Sequence, residues 1–179
     1  RDNAWSDDWM GIILDTFNDE RRAFEFFVNP LGVQIDAIYD DVNGREDDSW
    51  NAIWESMGQI SETGYAVELA IPLKQLRFTT ADNVQTWGID ITRNYPRNRV
   101  VRMRSQPEDR DISCYLCQIS KAEGFADLET SRNLEIIPTM TATSIENRDP
   151  AIGGWEREDF DPEGSLDVRW GITQDTYLN

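Results

Sequence analysis

Four tryptophans in this chain stand beside acidic or amide side chains. Trp5 and Trp9 flank Asp7 and Asp8, while Trp50 and Trp54 follow Asp47 and Asp48 and enclose Asn51. An indole offers a flat, polarisable platform to the C–H face of a sugar ring, and neighbouring carboxylates and amides can hydrogen-bond the hydroxyls that set its orientation. On a strand, the even spacing of Trp50 and Trp54 would put both on one face. Trp5, Trp9, Trp50, Trp54, Asp47, Asp48 and Asn51 are therefore candidate saccharide contacts. The competing reading places the same indoles in the core, where Trp is found more often. Trp87, in phase with Ile89 and Ile91, is read as core outright.

A second chemistry is suggested by acidic clusters. Asp40, Asp41, Asn43, Glu46, Asp47 and Asp48 crowd one loop, and Asp15, Asn18, Asp19 and Glu20 another. Calcium takes about 6–8 oxygen ligands from flexible loops of this kind. Asp40, Asp41, Asn43, Asp47 and Asp48 are the candidate metal ligands, with calcium as a structural ion. Neither cluster follows the EF-hand spacing. The alternative is a solvated turn, because Asp and Asn favour turns through local hydrogen bonds.

Other chemistries are poorly supplied. The chain has no His, which removes the usual general base, zinc ligand and haem ligand together. A haem site would be left with Met103 and its like. Cys114 and Cys117 form a CxxC in a strand-like segment rather than at a helix start, where a redox thiolate would be stabilised. One such pair cannot complete a four-Cys zinc site. A local disulfide and two buried thiols both remain open. Glycoside hydrolysis needs two carboxyls roughly 5–9.5 Å apart across a cleft. Glu68 stands in an apolar strand, but it points away from Tyr65, Val67 and Leu69 and reads as solvated or ion-paired. The chain is expected to be non-catalytic. The arginines between Arg93 and Arg110 could hold an acidic sugar, or pair with surface carboxylates.

The elements that must position these residues are strands. Period-two alternation puts Met10, Ile12 and Leu14 on one face, then Phe24, Phe26 and Val28, then Val33, Ile35, Ala37 and Tyr39. Asn29-Pro30-Leu31-Gly32 has the residues of a hairpin turn. Trp50 to Trp54 reads as a short strand, and Tyr65 to Ile71 as another, stopped by Pro72. Pro72 to Leu76 is a short helix. Trp87 to Ile91, Val101 to Met103 and Ser113 to Ile119 complete the set. Many short strands with turns between them predict an all-β, antiparallel β-sandwich. It spans residues 1–125.

From residue 126 to 179 the pattern changes. Leu134, Ile136, Met140 and Ala142 alternate with Glu135, Thr139 and Thr141, and Leu166, Val168, Trp170 and Ile172 with Asp167, Arg169, Gly171 and Thr173. A Gly-, Asp- and Pro-rich stretch from Asn147 to Gly164 separates the two runs. Runs of about ten residues, apolar on one side, suit either outer-membrane barrel strands or ordinary half-buried strands.

Longer phrases carry a family resemblance. Ser6-Asp7-Asp8-Trp9, Ile12 to Asp19, Phe26 to Asp36, Gly64 to Phe78 and Trp87-Gly88-Ile89-Asp90 together resemble the family 9-like carbohydrate-binding module that precedes a β-barrel in large bacterial outer-membrane proteins. Asn133 to Pro138 and Asp167 to Thr173 resemble the start of that barrel. The resemblance implies a jelly-roll-like sandwich, here lacking its first strands, and capture of polysaccharide or oligosaccharide at the cell envelope, in the periplasm or at the outer membrane. It also implies structural calcium and a membrane partner reached through the C-terminal barrel. A structural or protein-interaction domain that has lost sugar binding is the alternative. The matching phrases are framework phrases and assign no sugar-clamping pair.

Composition sets outer limits. With 17 basic and 34 acidic residues the formal charge is −17, so nucleic acid is not an expected partner. No stretch approaches the roughly 20 apolar residues of a membrane helix. The first residue is Arg1 and the last, Asn179, falls within a strand-like run, so both ends read as cuts.

Overall fold

The computed structural model describes residues 4–79, 84–128, 134–148, 153–171 and 177–178, and the chain divides into two compact units, Arg1–Thr130 and Ser131–Asn179. The first unit is an antiparallel β-sandwich. Its strands are β1 (Trp9–Asp15), β2 (Arg22–Val28), β3 (Gln34–Asp40), β4 (Arg45–Asp47), β5 (Glu55–Ile60), β6 (Tyr65–Ala70), β7 (Val84–Pro96), β8 (Val100–Arg104) and β9 (Ser120–Ala126). The large, curled sheet runs β4-β3-β2-β1-β7-β8, with β9 added along the start of β7. The small sheet is the β5–β6 hairpin.

Both sides of the large sheet are covered at its centre, which explains why β2 is buried at every position after Arg22. On the hairpin side, Leu14, Phe24, Phe26, Val28 and Trp87 pack against Trp54, Leu76 and Phe78, with Val67 and Leu69 of β6 closing over them. On the opposite side, Trp9, Ile13, Ala23, Phe27 and Ile35 pack against Ala4, Leu116 and Ile119. Alternation on β2 sends Phe24 and Phe26 one way and Ala23, Glu25 and Phe27 the other.

The β2–β3 turn forms at Asn29-Pro30-Leu31-Gly32. The Asn29 Oδ1 accepts from the Leu31 and Val33 N–H groups at 3.0 and 2.9 Å. Gly32 sits at φ +82°, which a side chain would disfavour. Gly58 of β5 passes directly over this turn: a Cβ there would lie 2.3 Å from the Pro30 carbonyl oxygen. Its lack of a side chain sets how closely the hairpin approaches the large sheet.

Two expected strands are corrected. Trp50 to Trp54 is irregular, because its backbone is bonded by side chains rather than by a neighbouring strand. The Asp36 carboxylate accepts from the Ala52 N–H at 2.5 Å, and the Gln34 amide donates to the Trp54 carbonyl at 2.8 Å. Ser113 to Ile119 is a turn rather than a strand. A Cys114–Cys117 disulfide closes it, Leu116–Gln118 is a 3-10 turn, and the Tyr115 and Leu116 N–H groups both donate to Asp41. The strand begins only afterwards, as β9. The short helix at Pro72 is likewise one 3-10 turn, Leu73–Gln75.

In the second unit, β10 (Leu134–Arg148) and β11 (Trp155–Gly171) form a long antiparallel hairpin, and β12 (Tyr177–Leu178) pairs with the end of β11. The strands are longer than expected, since β11 absorbs most of the stretch read as a Gly-, Asp- and Pro-rich loop. Ile172 and Thr173 lie outside the described residues. The register is amphipathic. Ile136, Pro138, Met140 and Ala142 stand opposite Val168, Leu166, Gly164 and Pro162, while Thr139, Thr141 and Thr143 stand opposite Ser165, Glu163 and Asp161.

Candidate functional site

The sandwich separates the tryptophans that the sequence groups together. Trp9 is 1% exposed, stacks on Phe27 at 4.3 Å between ring centres and donates its Nε1–H to the Trp5 carbonyl at 3.0 Å. Trp54 is 5% exposed and meets Phe26 edge-on at 5.4 Å. Neither indole has a face open to a sugar ring, so both are corrected to core residues. The reason is area: an indole buries more apolar surface than most side chains, and β1 and the segment after β4 both feed into apolar layers. Trp50 is half-buried on the hairpin side against Phe24 and Phe26. Trp5 is half-buried on the opposite side, edge-on to Trp9 and Phe27 at 6.2 and 6.0 Å.

The polar residues near Trp50 serve their own loop. Asp47 accepts from the Ser49 N–H and hydroxyl at 3.1 and 2.6 Å, and Asn51 donates to the Ser49 carbonyl at 3.0 Å. Asp48 is exposed. The candidate metal ligands are dispersed in the same way. Asp40 accepts from the Val42 and Asn43 N–H groups and the Asn43 amide, with Arg22 at 3.5 Å, whereas Asp41 caps the disulfide turn. Among the described residues, no three carboxylates of this loop converge as a cation cage would require. The hollow of about 380 Å³ beside Asp40 is lined by Arg21 and Arg22 as well as Asp19, an unfavourable setting for a cation.

What the fold does assemble is a cluster centred on Glu25, which the alternation of β2 hides from a sequence reading. Cross-strand register places Glu25 beside Ile13 and Asp90 in one row, Tyr39 and Glu46 beside Ala23 in the next, and Arg104 and Arg102 opposite Thr92 and Asn94. All lie on the side away from the hairpin, with Tyr115 carried in by the disulfide turn. Glu25 is 3% exposed, and its Oε2 has no hydrogen-bond partner. Burial pushes its carboxyl up to about 8, and the charge of Glu46 adds to this against Arg102 and Arg104. At neutral pH Glu25 is therefore a neutral acid. Burial likewise raises Tyr39 to about 12.

Around Glu25 the partners are well defined. Tyr115 donates to Asp90 at 2.7 Å, meets Tyr39 at 5.8 Å and lies 4.0 Å beneath the Arg104 guanidinium. Arg104 pairs with Glu108 at 2.9 Å. Arg102 is exposed and lies 5.7 Å from the centre of the Trp9 ring. Among the described residues it has no carboxylate in ion-pair range. Arg93 and Arg97, by contrast, are committed to Asp8, at 2.9 and 3.7 Å. That contact, with the Tyr65 hydroxyl at 2.7 Å, ties the N-terminal turn to β6 and β7. The Arg93 guanidinium holds Asp8 below the usual carboxylate range, with Tyr65 and Arg97 acting in the same direction against partial burial. Glu68, singled out by its apolar strand, is exposed.

The side of the sheet opposite the hairpin thus combines half-buried aromatic rings, a guanidinium without a carboxylate among the described residues, and a buried neutral acid. No curated protein and no solved structure is matched by this chain. A family model described as carbohydrate family 9 binding domain-like matches residues 1–106, from the N-terminal turn through β8. That match covers more than half of the chain, which belongs to the carbohydrate family 9 binding domain-like family.

Proposed function

We propose that the sandwich binds saccharides without cleaving them, on the side of the large sheet that carries Trp5, Tyr39, Glu46 and Arg102. The observation that carries this reading is that partly exposed rings and exposed hydrogen-bonding side chains share one side of the large sheet. Flat rings take the C–H face of a pyranose, and charged donors and acceptors take its hydroxyls. Family membership agrees with carbohydrate binding in general. Trp50 belongs to the other side and is left to packing.

The test is calorimetry of the full chain in mild detergent against a panel of oligosaccharides. Trp5→Ala and Tyr39→Ala should each weaken binding about tenfold, the scale of a lost stacking contact of roughly 1–1.5 kcal/mol. Trp50→Ala should lower the melting temperature and leave affinity unchanged. Full affinity in both the Trp5 and Tyr39 variants would move the site elsewhere.

The setting we propose is a membrane barrel, supported by the hairpin of the second unit. Its apolar row from Leu134 to Ala142 spans nine residues, about 27 Å at the rise of a strand. That is close to the apolar band of about 25 Å in outer-membrane barrels. A protein-contact reading of the sandwich also has an observation in its favour. Ile91, Val101 and Met103 leave an apolar patch open on the hairpin side of β7 and β8.

A further inference from the structure

Resting on the saccharide-binding reading, we propose that this site takes a uronic acid residue, its carboxylate received by the Arg102 guanidinium, with Glu25, on the same side of the sheet, as a positioning residue. Three observations lead there. First, the chain carries a formal charge of −17, yet among the described residues Arg102 has no carboxylate in ion-pair range, while Arg93, Arg97 and Arg104 each have one. An exposed arginine 5.7 Å from an indole centre, in so acidic a chain, is a ready receptor for a planar anion. Second, Glu25, the buried carboxyl whose charge Arg102 would favour, cannot fill that role at neutral pH, because burial keeps it protonated. Third, the Glu25 Oε2 has no partner inside the fold, a polar atom whose burial is costly unless it serves a purpose. The strong overall negative charge disfavours a dense polyanion. At physiological salt, fields fade over about 8 Å, so a single uronate on a sugar chain is the anion that fits.

Glu25 acts through charge. Titratable and charged groups face it from every neighbouring element: Tyr39 of β3 with Asp41 just beyond it, Glu46 of β4, Asp90 of β7, Arg102 and Arg104 of β8, and Tyr115 of the disulfide turn. Of those with a resolved shift, Tyr39 and Tyr115 are pushed up by burial, to about 12 and beyond it, far above the working range. Glu25 alone passes through its own value near 8. Once ionised, it competes with the ligand carboxylate for the two guanidinium groups. Uronate binding should therefore fall as pH rises through about 8.

The experiment titrates the full chain in detergent micelles with xylo-oligosaccharides carrying a single glucuronate, and with neutral gluco-, xylo- and manno-oligosaccharides, from pH 6 to 9.5. Uronates should bind more tightly than their neutral counterparts at pH 6.5. Arg102→Gln should weaken uronate binding about 10- to 100-fold, the range of a lost charge-assisted hydrogen-bond pair. Arg102→Lys should recover part of it. Glu25→Gln should abolish the fall above pH 8, which a merely structural role would not do. Neutral sugars binding as well as uronates, or full uronate affinity in Arg102→Gln, would overturn the inference and leave saccharide binding standing. A flat wild-type pH profile would remove Glu25 from it. Failure of every saccharide to bind would bring down the underlying reading, and this inference with it.

Discussion

Glu25 couples the stability of the sandwich to protons. Its folded value, near 8, lies above the 4.5 of a free Glu. Between these two values the unfolded chain has lost a proton that the native chain keeps, so stability is greatest at the acid end and declines as pH climbs to about 8. Glu25→Gln keeps the shape and hydrogen-bonding capacity without the titration. It should stabilise the chain at pH 8.5 by on the order of 3 kcal/mol and have little effect at pH 4.5, as read by urea denaturation at both values. Equal effects at both would show that Glu25 titrates normally. The sequence did not expose this residue. Phe24, Phe26 and Val28 announce one buried face of β2, and alternation then assigns Glu25 to solvent. Only the covering of the opposite side by Ala4, Leu116 and Ile119, distant in sequence, makes that assignment fail. Glu68 illustrates the reverse: its strand belongs to a two-stranded layer with one open side, and the carboxylate is indeed exposed.

Among the elements, those with strict alternation were readable. β1, β2, β3, β6 and β7 fall where Ile, Phe and Val recur at every second position. The segment from Trp50 to Trp54 misled because even spacing of large residues resembles a strand whatever holds the backbone. Here Asp36 and Gln34 of β3 hold it, and both indoles turn toward Phe26. The disulfide turn misled for a related reason: the apolar residues Tyr115, Leu116 and Ile119 look strand-like, but covalent closure and Asp41 bend the chain around them. The placement of the hairpin rests on a residue with no side chain. Gly58→Ala would press a methyl group onto the Pro30 carbonyl and lift β5 from the β2–β3 turn. Such overpacking should cost about 1–3 kcal/mol. It should appear as a lower midpoint in thermal melts and faster amide exchange in β5 and β6. An unchanged midpoint would mean that the turn yields at no cost.

At the scale of the whole molecule, the chain divides into two units, one of short strands with turns and one built on a long hairpin. The break between them falls at Thr130 and Ser131. Which surfaces stay open was not legible, because that depends on layers built from distant segments. The β10–β11 ribbon makes the point, with Met140 81% and Leu166 61% exposed. Two strands cannot close into a ring, and the outward amides along most of both edges have no partner strand among the described residues. Inside hydrocarbon each such group would cost several kcal/mol, whereas the oily stripe gains by leaving water. The chain taken alone should therefore rest on lipid vesicles without perforating them: it should co-float with liposomes in a density gradient, wash off in alkaline carbonate and release no trapped dye.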